Sequence, residues 1–290
     1  MALVVVMWIV AALSVLVTGF VATTRADLRG AQNIRTFAEH ASVGDAAITL
    51  AAASMLTTPD MRPGVFEYHI EGLTVNVQVL PAAAFVDLNK ASVELLRDTL
   101  LYGAGLAEGD AEALAERLVD WRDSDEDALP KGAENPAYEA AGSPFRTRGG
   151  PFESVDDLMQ VLGVNFELHD RLRSLLTTHG ASAGVDPRYA PAAVLTVLAA
   201  GNAGAVDRVL SARSVNDPLT DMTGLTQQHL AQASGRLYRF DAWRQDGNLR
   251  LSRVRWLDLS RPGPAGVPWS ELGAEPVMSE LLSMERADGV

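Results

Sequence analysis

The first charged side chain in this chain is Arg25. Before it runs MALVVVMWIVAALSVLVTGFVATT, which as a helix rising about 1.5 Å per residue would extend about 36 Å, enough to cross the apolar core of a bilayer. A cleavable export signal would show a basic start, a shorter apolar stretch and a small-residue cleavage site. No Lys or Arg precedes this run, so residues 1–24 are expected to be a retained transmembrane helix. Arg25, Arg29 and Arg35 follow it, and the positive-inside rule would keep them in the cytoplasm. An exported body would then need a basic leader ahead of Met1, so charge alone leaves the topology open.

The helix is expected to continue past the span. Leu28, Ala31, Ile34, Ala38, Ala41, Ala46, Ile48 and Leu50 extend an apolar stripe, and no proline occurs before Pro59. Beyond Pro63, VFEYHI and LTVNVQVL alternate in the strand pattern around Glu71-Gly72, a two-residue hairpin signal. Strand character returns only in LYRFDAWRQDGNLRLSRVRWLDL, with a second hairpin at Asp246-Gly247-Asn248. The stretch between is largely helical in pattern. The fold class expected is therefore α+β: a long N-terminal helix and an antiparallel sheet, with a large helical domain inserted between the strands. The expected boundaries are 1–24 for the transmembrane half of the helix and 25–86 for its amphipathic half with the first hairpin. The inserted α-domain is expected at 87–214, the second hairpin at 215–262, and a Pro/Gly-rich tail at 263–290.

Three segments of the insertion, beginning at Ser92, Ser154 and Ala190, each run Leu-rich to a Gly and on into a second helix. Such units are similar to helix-hairpin-helix or SAM-like repeats, whose hairpins can hold a phosphate at a helix N-terminus. That raises an alternative function, a membrane-anchored nucleic-acid-binding protein. Charge opposes it. The chain carries a net charge of −13, and residues 87–180 alone contain 9 Lys and Arg against 19 Asp and Glu, a surplus that repels a polyanion. The absence of Cys removes disulfides, zinc ribbons, iron–sulfur clusters and thiol catalysis together.

Cation chemistry is concentrated in one acidic loop. Counting Asp123 as position 1, carboxylates fall at positions 1, 3, 5 and 12: Asp123, Asp125, Asp127 and Glu134. These are ligand positions of an EF-hand calcium loop, in which the backbone carbonyl at position 7, here Leu129, also contributes. Asp120, at the end of the helix leading in, joins the candidate set. Position 6 is Ala128 rather than Gly, Pro130 stands at position 8, and no exiting helix is expected after Glu134. The expectation is a Ca²⁺ loop of related logic on another scaffold, since five carboxylates within residues 123–134 repel one another unless a cation joins them. Other motifs carry little. Gly180-Ala181-Ser182-Ala183-Gly184 fits the hydrolase pattern G-x-S-x-G but has a helical run before it and chain-breaking residues after it. The five histidines show no metal spacing and are expected to be surface or half-buried. Asp87-Leu88-Asn89 is expected to cap the first inserted helix, and Trp121 to anchor the core. No convergent catalytic set is found, and the expectation is a protein that is not an enzyme.

Taken together, MALVVVMW, Val86 to Ser92 (VDLNKAS), Asp120 to Asp125 (DWRDSD), Gly132 to Asn135 with Tyr138, and Gly150 to Val155 (GPFESV) resemble general secretion pathway protein K, a minor pseudopilin of type II secretion. The resemblance implies a pilin-like body with a helical insertion and calcium bound in that insertion. It implies a place at the tip of a periplasmic pseudopilus used for protein export, with minor pseudopilins I and J as partners. It also implies insertion in the inner membrane as a single-pass protein with its body in the periplasm, after removal of a short basic leader by prepilin peptidase. Such a leader would supply the topology signal noted above. With Met1 as the mature start, Val5 would occupy the position where most pilin-type subunits carry a Glu, as suits a subunit with none above it.

Overall fold

The computed structural model describes residues 2–58, 61–180, 182–214, 221–233 and 235–281. Helix α1 (Ala2–Thr57) is one continuous rod of 56 residues, about 84 Å long. Its first turns expose large apolar side chains such as Leu3, Trp8 and Phe20. Among the described residues no helix is long and apolar enough to cross a membrane. The expected span at 1–24 falls partly on side chains outside the described set.

Strands β1 (Val65–Ile70) and β2 (Leu73–Pro81) form the first hairpin. Glu71 (φ 51°) and Gly72 (φ 81°) make its turn with both dihedrals positive, the mirror-image turn whose twist matches the flanking strands. The chain then leaves the sheet through β3 (Val86–Asp87) and builds the insertion. Its elements are α2 (Val93–Asp98), α3 (Glu108–Arg122), α4 (Asn135–Ala140), α5 (Phe166–Leu172), β4 (Leu176–Thr177), α6 (Ala192–Leu198) and α7 (Ala203–Ser214). β4 pairs in parallel with β3 and closes the base of the insertion. Strands β5 (Leu237–Asp246), β6 (Leu249–Asp258), β7 (Ser270–Ala274) and β8 (Met278–Leu281) complete the large sheet. Its order is β1-β2-β5-β6-β7, with β8 lying beside the first half of β6.

Two cores result. In the body, Ala47, Ile48, Ala51 and Ala52 of α1 pack on Val75, Val77, Val79, Phe240 and Ala242, and the small helix residues let the rod lie close to the sheet. Nearer the N-terminus this apolar seam turns polar. Arg253 and Arg255 converge on Asp45 at 2.9 and 2.5 Å, and Arg244 donates to Nδ1 of buried His40 at 3.3 Å. The second core, around Leu95, Leu96, Leu118, Trp121 and Tyr138, belongs to the insertion. A third, smaller cluster sets Phe85 against Trp256, ring centroids 5.6 Å apart, with Ala82, Ala84 and Val254.

Two expected boundaries are corrected. The insertion does not end at residue 214, because Met222, Leu225 and Leu230 pack into its core and Leu230 bridges to Val185. The expected tail from 263 contributes β7 and β8, both paired with β6. The three proposed repeats do turn at glycines with positive φ, Gly105 (72°), Gly163 (99°) and Gly201 (78°). The middle one opens with a 3₁₀ turn at Val155–Gln160 rather than an α-helix.

Candidate metal centre

The acidic loop hangs between α3 and α4 and is fixed by motif residues that pack beneath it. Asn89 donates to the Phe152 carbonyl at 2.9 Å and accepts from its N–H at 2.7 Å. Trp121 stacks on the Phe152 ring with centroids 4.1 Å apart. Arg122 turns away from the acidic residues and donates to the carbonyls of Leu88 and of Ala91, the latter at 2.7 Å. The segments VDLNKAS, DWRDSD and GPFESV therefore meet in space and brace the end of α3. Ser92, whose hydroxyl accepts from the Leu95 N–H at 3.2 Å, caps α2, so the cap expected from Asp87 to Asn89 is corrected. Asp87 instead accepts from the N–H of Asn89 at 2.8 Å.

At the loop, Asp120 is fully buried and Glu134 is 3% exposed. Asp120 accepts from the Leu129 N–H at 3.3 and 3.2 Å. The Leu129 carbonyl accepts from the N–H of Gly132 at 3.0 Å. Gly132 is required here, because a Cβ would stand 1.8 Å from Oδ2 of Asp120. Both carboxylate oxygens of Glu134 and Oδ1 of Asp123 are buried without a hydrogen-bond partner among the described residues. Asp125 and Asp127 are exposed, with the Asp127 N–H folded back on the Asp125 carboxylate at 3.0 Å. A short helix, α4, starts at Asn135 directly after Glu134, where none was expected from the residue pattern. Pro136 in its first turn suits a helix start.

The electrostatics share one sign. Burial pushes the Asp123 carboxyl above the usual range, and the charges of Asp125 and Asp120 push it further. Burial also raises Asp120, against the pull of backbone N–H groups. Burial likewise raises Glu134, reinforced by Asp120, Asp123 and Glu126; the Thr147 hydroxyl offsets part of this without reaching hydrogen-bond geometry. The nearby cations are engaged elsewhere, Arg122 with backbone carbonyls and Lys131 with Glu112. Among the described residues no group of three or more acidic or His side chains already stands where it could hold a metal ion. Within the donor set, buried oxygens of Asp120, Asp123 and Glu134 have no cationic partner among the described residues, and carboxylate oxygens of this kind suit a hard oxygen-seeking cation.

Sequence reasoning missed Glu126, which accepts from the Asn135 amide at 2.8 Å, and the loop 143–149 that folds back so that Arg148 and Gly149 donate to the Trp121 carbonyl. The signal for Glu126 was present in its place within the acidic run. The histidines are corrected too. His40, His169 and His229 are buried, and His229 sits 2.9 Å from the buried carboxylate of Asp98. Ahead of Gly180-Ala181-Ser182-Ala183-Gly184 stands the two-residue β4 rather than a helical run, and no helix follows directly. Ala181 lies outside the described residues.

Fold and site together define a class: a long helix on an antiparallel sheet, with a braced, acidic helical domain spliced between β2 and β5. Residues 75–180 match the family model of type II secretion system (T2SS) protein K. The chain is also similar to a solved structure, in the crystal structure of the GspK-GspI-GspJ complex from the enterotoxigenic Escherichia coli type 2 secretion system. The TM-score is 0.55 at 17% identity, covering 85% of this chain and 98% of that one. No curated protein matches the sequence. The likeness to the solved chain is one of fold; the resemblance to protein K read from the motifs is supported by the family match.

Proposed function

We propose that this chain is a structural, non-catalytic minor pseudopilin that caps the tip of a type II secretion pseudopilus and starts its assembly for protein export. The observation that carries the reading is the insertion, a protein K segment larger than the sheet that frames it. Such a bulk on the head of a fibre subunit would obstruct a further subunit stacked above it. Its acidic surplus would also repel a second copy at close range. In this reading minor pseudopilins I and J are the partners, by analogy with the similar solved structure, which is itself a complex of GspK with GspI and GspJ. The uncharged stretch at 1–24 anchors the chain in the inner membrane after prepilin peptidase processing, and the body lies in the periplasm.

Calcium belongs to the same proposal. Asp120, Asp123 and Glu134 would hold it, joined by Asp125 and Asp127 and by the Leu129 carbonyl. The ion would supply the positive charge that the protein does not place there and would tie the end of α3 to the start of α4. Calcium suits this site better than magnesium, which prefers few carboxylates and several waters. Tip placement is tested by labelling the chain within assembled fibres. About one label per fibre end is expected, and labels at regular intervals along the fibre would overturn the tip assignment.

A further inference from the structure

A groove of about 320 Å³ separates the insertion from the β6–β7–β8 margin of the sheet. Its floor is Trp256, with the His179 ring edge-on at 5.3 Å, and its rim carries the exposed apolar side chains of Leu272 and Met278. Asp156 faces it from the insertion and Glu275 from the sheet. We propose that this groove is a docking site for a basic side chain, arginine or lysine flanked by apolar residues, presented by another polypeptide.

Charge complementarity decides the kind of occupant. Glu153 at the rim is answered by Arg148, and Arg173, the cation lining the groove, is engaged by Asp170 at 3.0 Å. The side chain of Asp156 is 85% exposed and has one oxygen 3.0 Å from His169. Glu275 accepts from the Trp256 indole through Oε1 at 3.4 Å, with the Arg239 guanidinium 4.0 Å from that same oxygen, and no hydrogen bond reaches its Oε2 among the described residues. Two carboxylates on opposite walls thus have acceptor capacity left, above an aromatic floor. Burial holds the His179 imidazole below its ordinary pKa, so at neutral pH it presents a lone pair rather than a third cation. Carboxylates, a neutral imidazole and an indole face are the surroundings a guanidinium or ammonium group prefers, with its aliphatic stem on the apolar rim. An acidic partner would be repelled here and by the insertion as a whole.

The test titrates the full-length chain, in detergent with calcium, with acetyl-Leu-Arg-Leu-amide and with its citrulline counterpart, which keeps the shape and removes the charge. The His179 ring resonance, assigned with His179→Gln, is the readout. The arginine peptide is expected to shift it saturably and to bind several times more tightly than the citrulline one. Combining Asp156→Asn at an exposed position with Glu275→Gln at a half-buried one should weaken arginine binding about tenfold, as the loss of two surface pairs implies, without lowering the melting temperature. Equal binding of both peptides, unchanged binding by the double variant, or no saturable shift would overturn the proposal. None of these results bears on assembly with pseudopilins, so failure of the groove and failure of the pseudopilin reading are separately visible.

Discussion

Replacing Glu134 with Gln should change the sign of its effect with calcium. In chelator at neutral pH, both oxygens of the wild-type carboxylate are buried without a partner and face the charges of Asp120, Asp123 and Glu126. A buried unsatisfied group costs about 1–3 kcal/mol, and more when charged. Gln keeps the shape and removes the charge, so Glu134→Gln should stabilise the ion-free protein by about 1–2 kcal/mol. With calcium at a hundredfold excess over Kd the wild type gains about 2.7 kcal/mol, most of which the variant forfeits. In melting temperature this is a rise of about 5–10 °C for the wild type on adding calcium, at about 2–4 °C per kcal/mol for a unit of this size. Thermal unfolding followed by tryptophan fluorescence, in chelator and in millimolar calcium, should therefore rank the two proteins in opposite orders. A variant less stable by the same amount in both conditions would refute the reasoning, and so would a wild type that melts identically in both.

Other consequences are accessible to the same assay. Gly132→Ala drives a Cβ into the Asp120 carboxylate; it should cost about 1–3 kcal/mol, as overpacking does, and abolish the calcium response. Asp98→Asn removes the carboxylate that Arg97 and buried His229 share and should destabilise by about 1–3 kcal/mol; a change below about 0.5 kcal/mol would contradict a structural role for it. Burial and the charge of Arg244 lower His40 from 6.5 to about 4, so the unfolded chain binds the extra proton first. Stability should fall as pH drops from about 6.5 to about 4, by roughly 3 kcal/mol at most. His40→Gln should flatten that limb, and an unchanged slope would contradict it. Ile48→Asp places a carboxylate in the body core and should unfold the body or release α1 from the sheet, whereas retained folding and partner binding would make the helix a mere tether.

The body was legible where pattern and turn chemistry agree. Glu71-Gly72 and the alternating Val75, Val77 and Val79 specify one register, and the proline-free stripe specifies one rod. The strands β7 and β8 were not legible, because SELGA and MSEL are short edge segments with little apolar alternation, and β6 defines them by pairing. The acidic loop was legible as a charge pattern that local spacing alone can generate. Its support was not, since Asn89 meets Phe152 and Arg122 meets Leu88 across 63 and 34 residues. The burial of His229 was hidden for the same reason: its partner, Asp98, lies 131 residues earlier in the chain.

The central claim is that the chain assembles with minor pseudopilins through a body whose insertion calcium holds in shape. Co-expression of the full-length chain with pseudopilins I and J of the same system, followed by affinity purification in calcium, tests it most directly. A stable complex with one copy of each partner is expected, weakened in chelator and by Asp123→Ala. Purification of the folded, calcium-bound chain free of both partners would contradict the account.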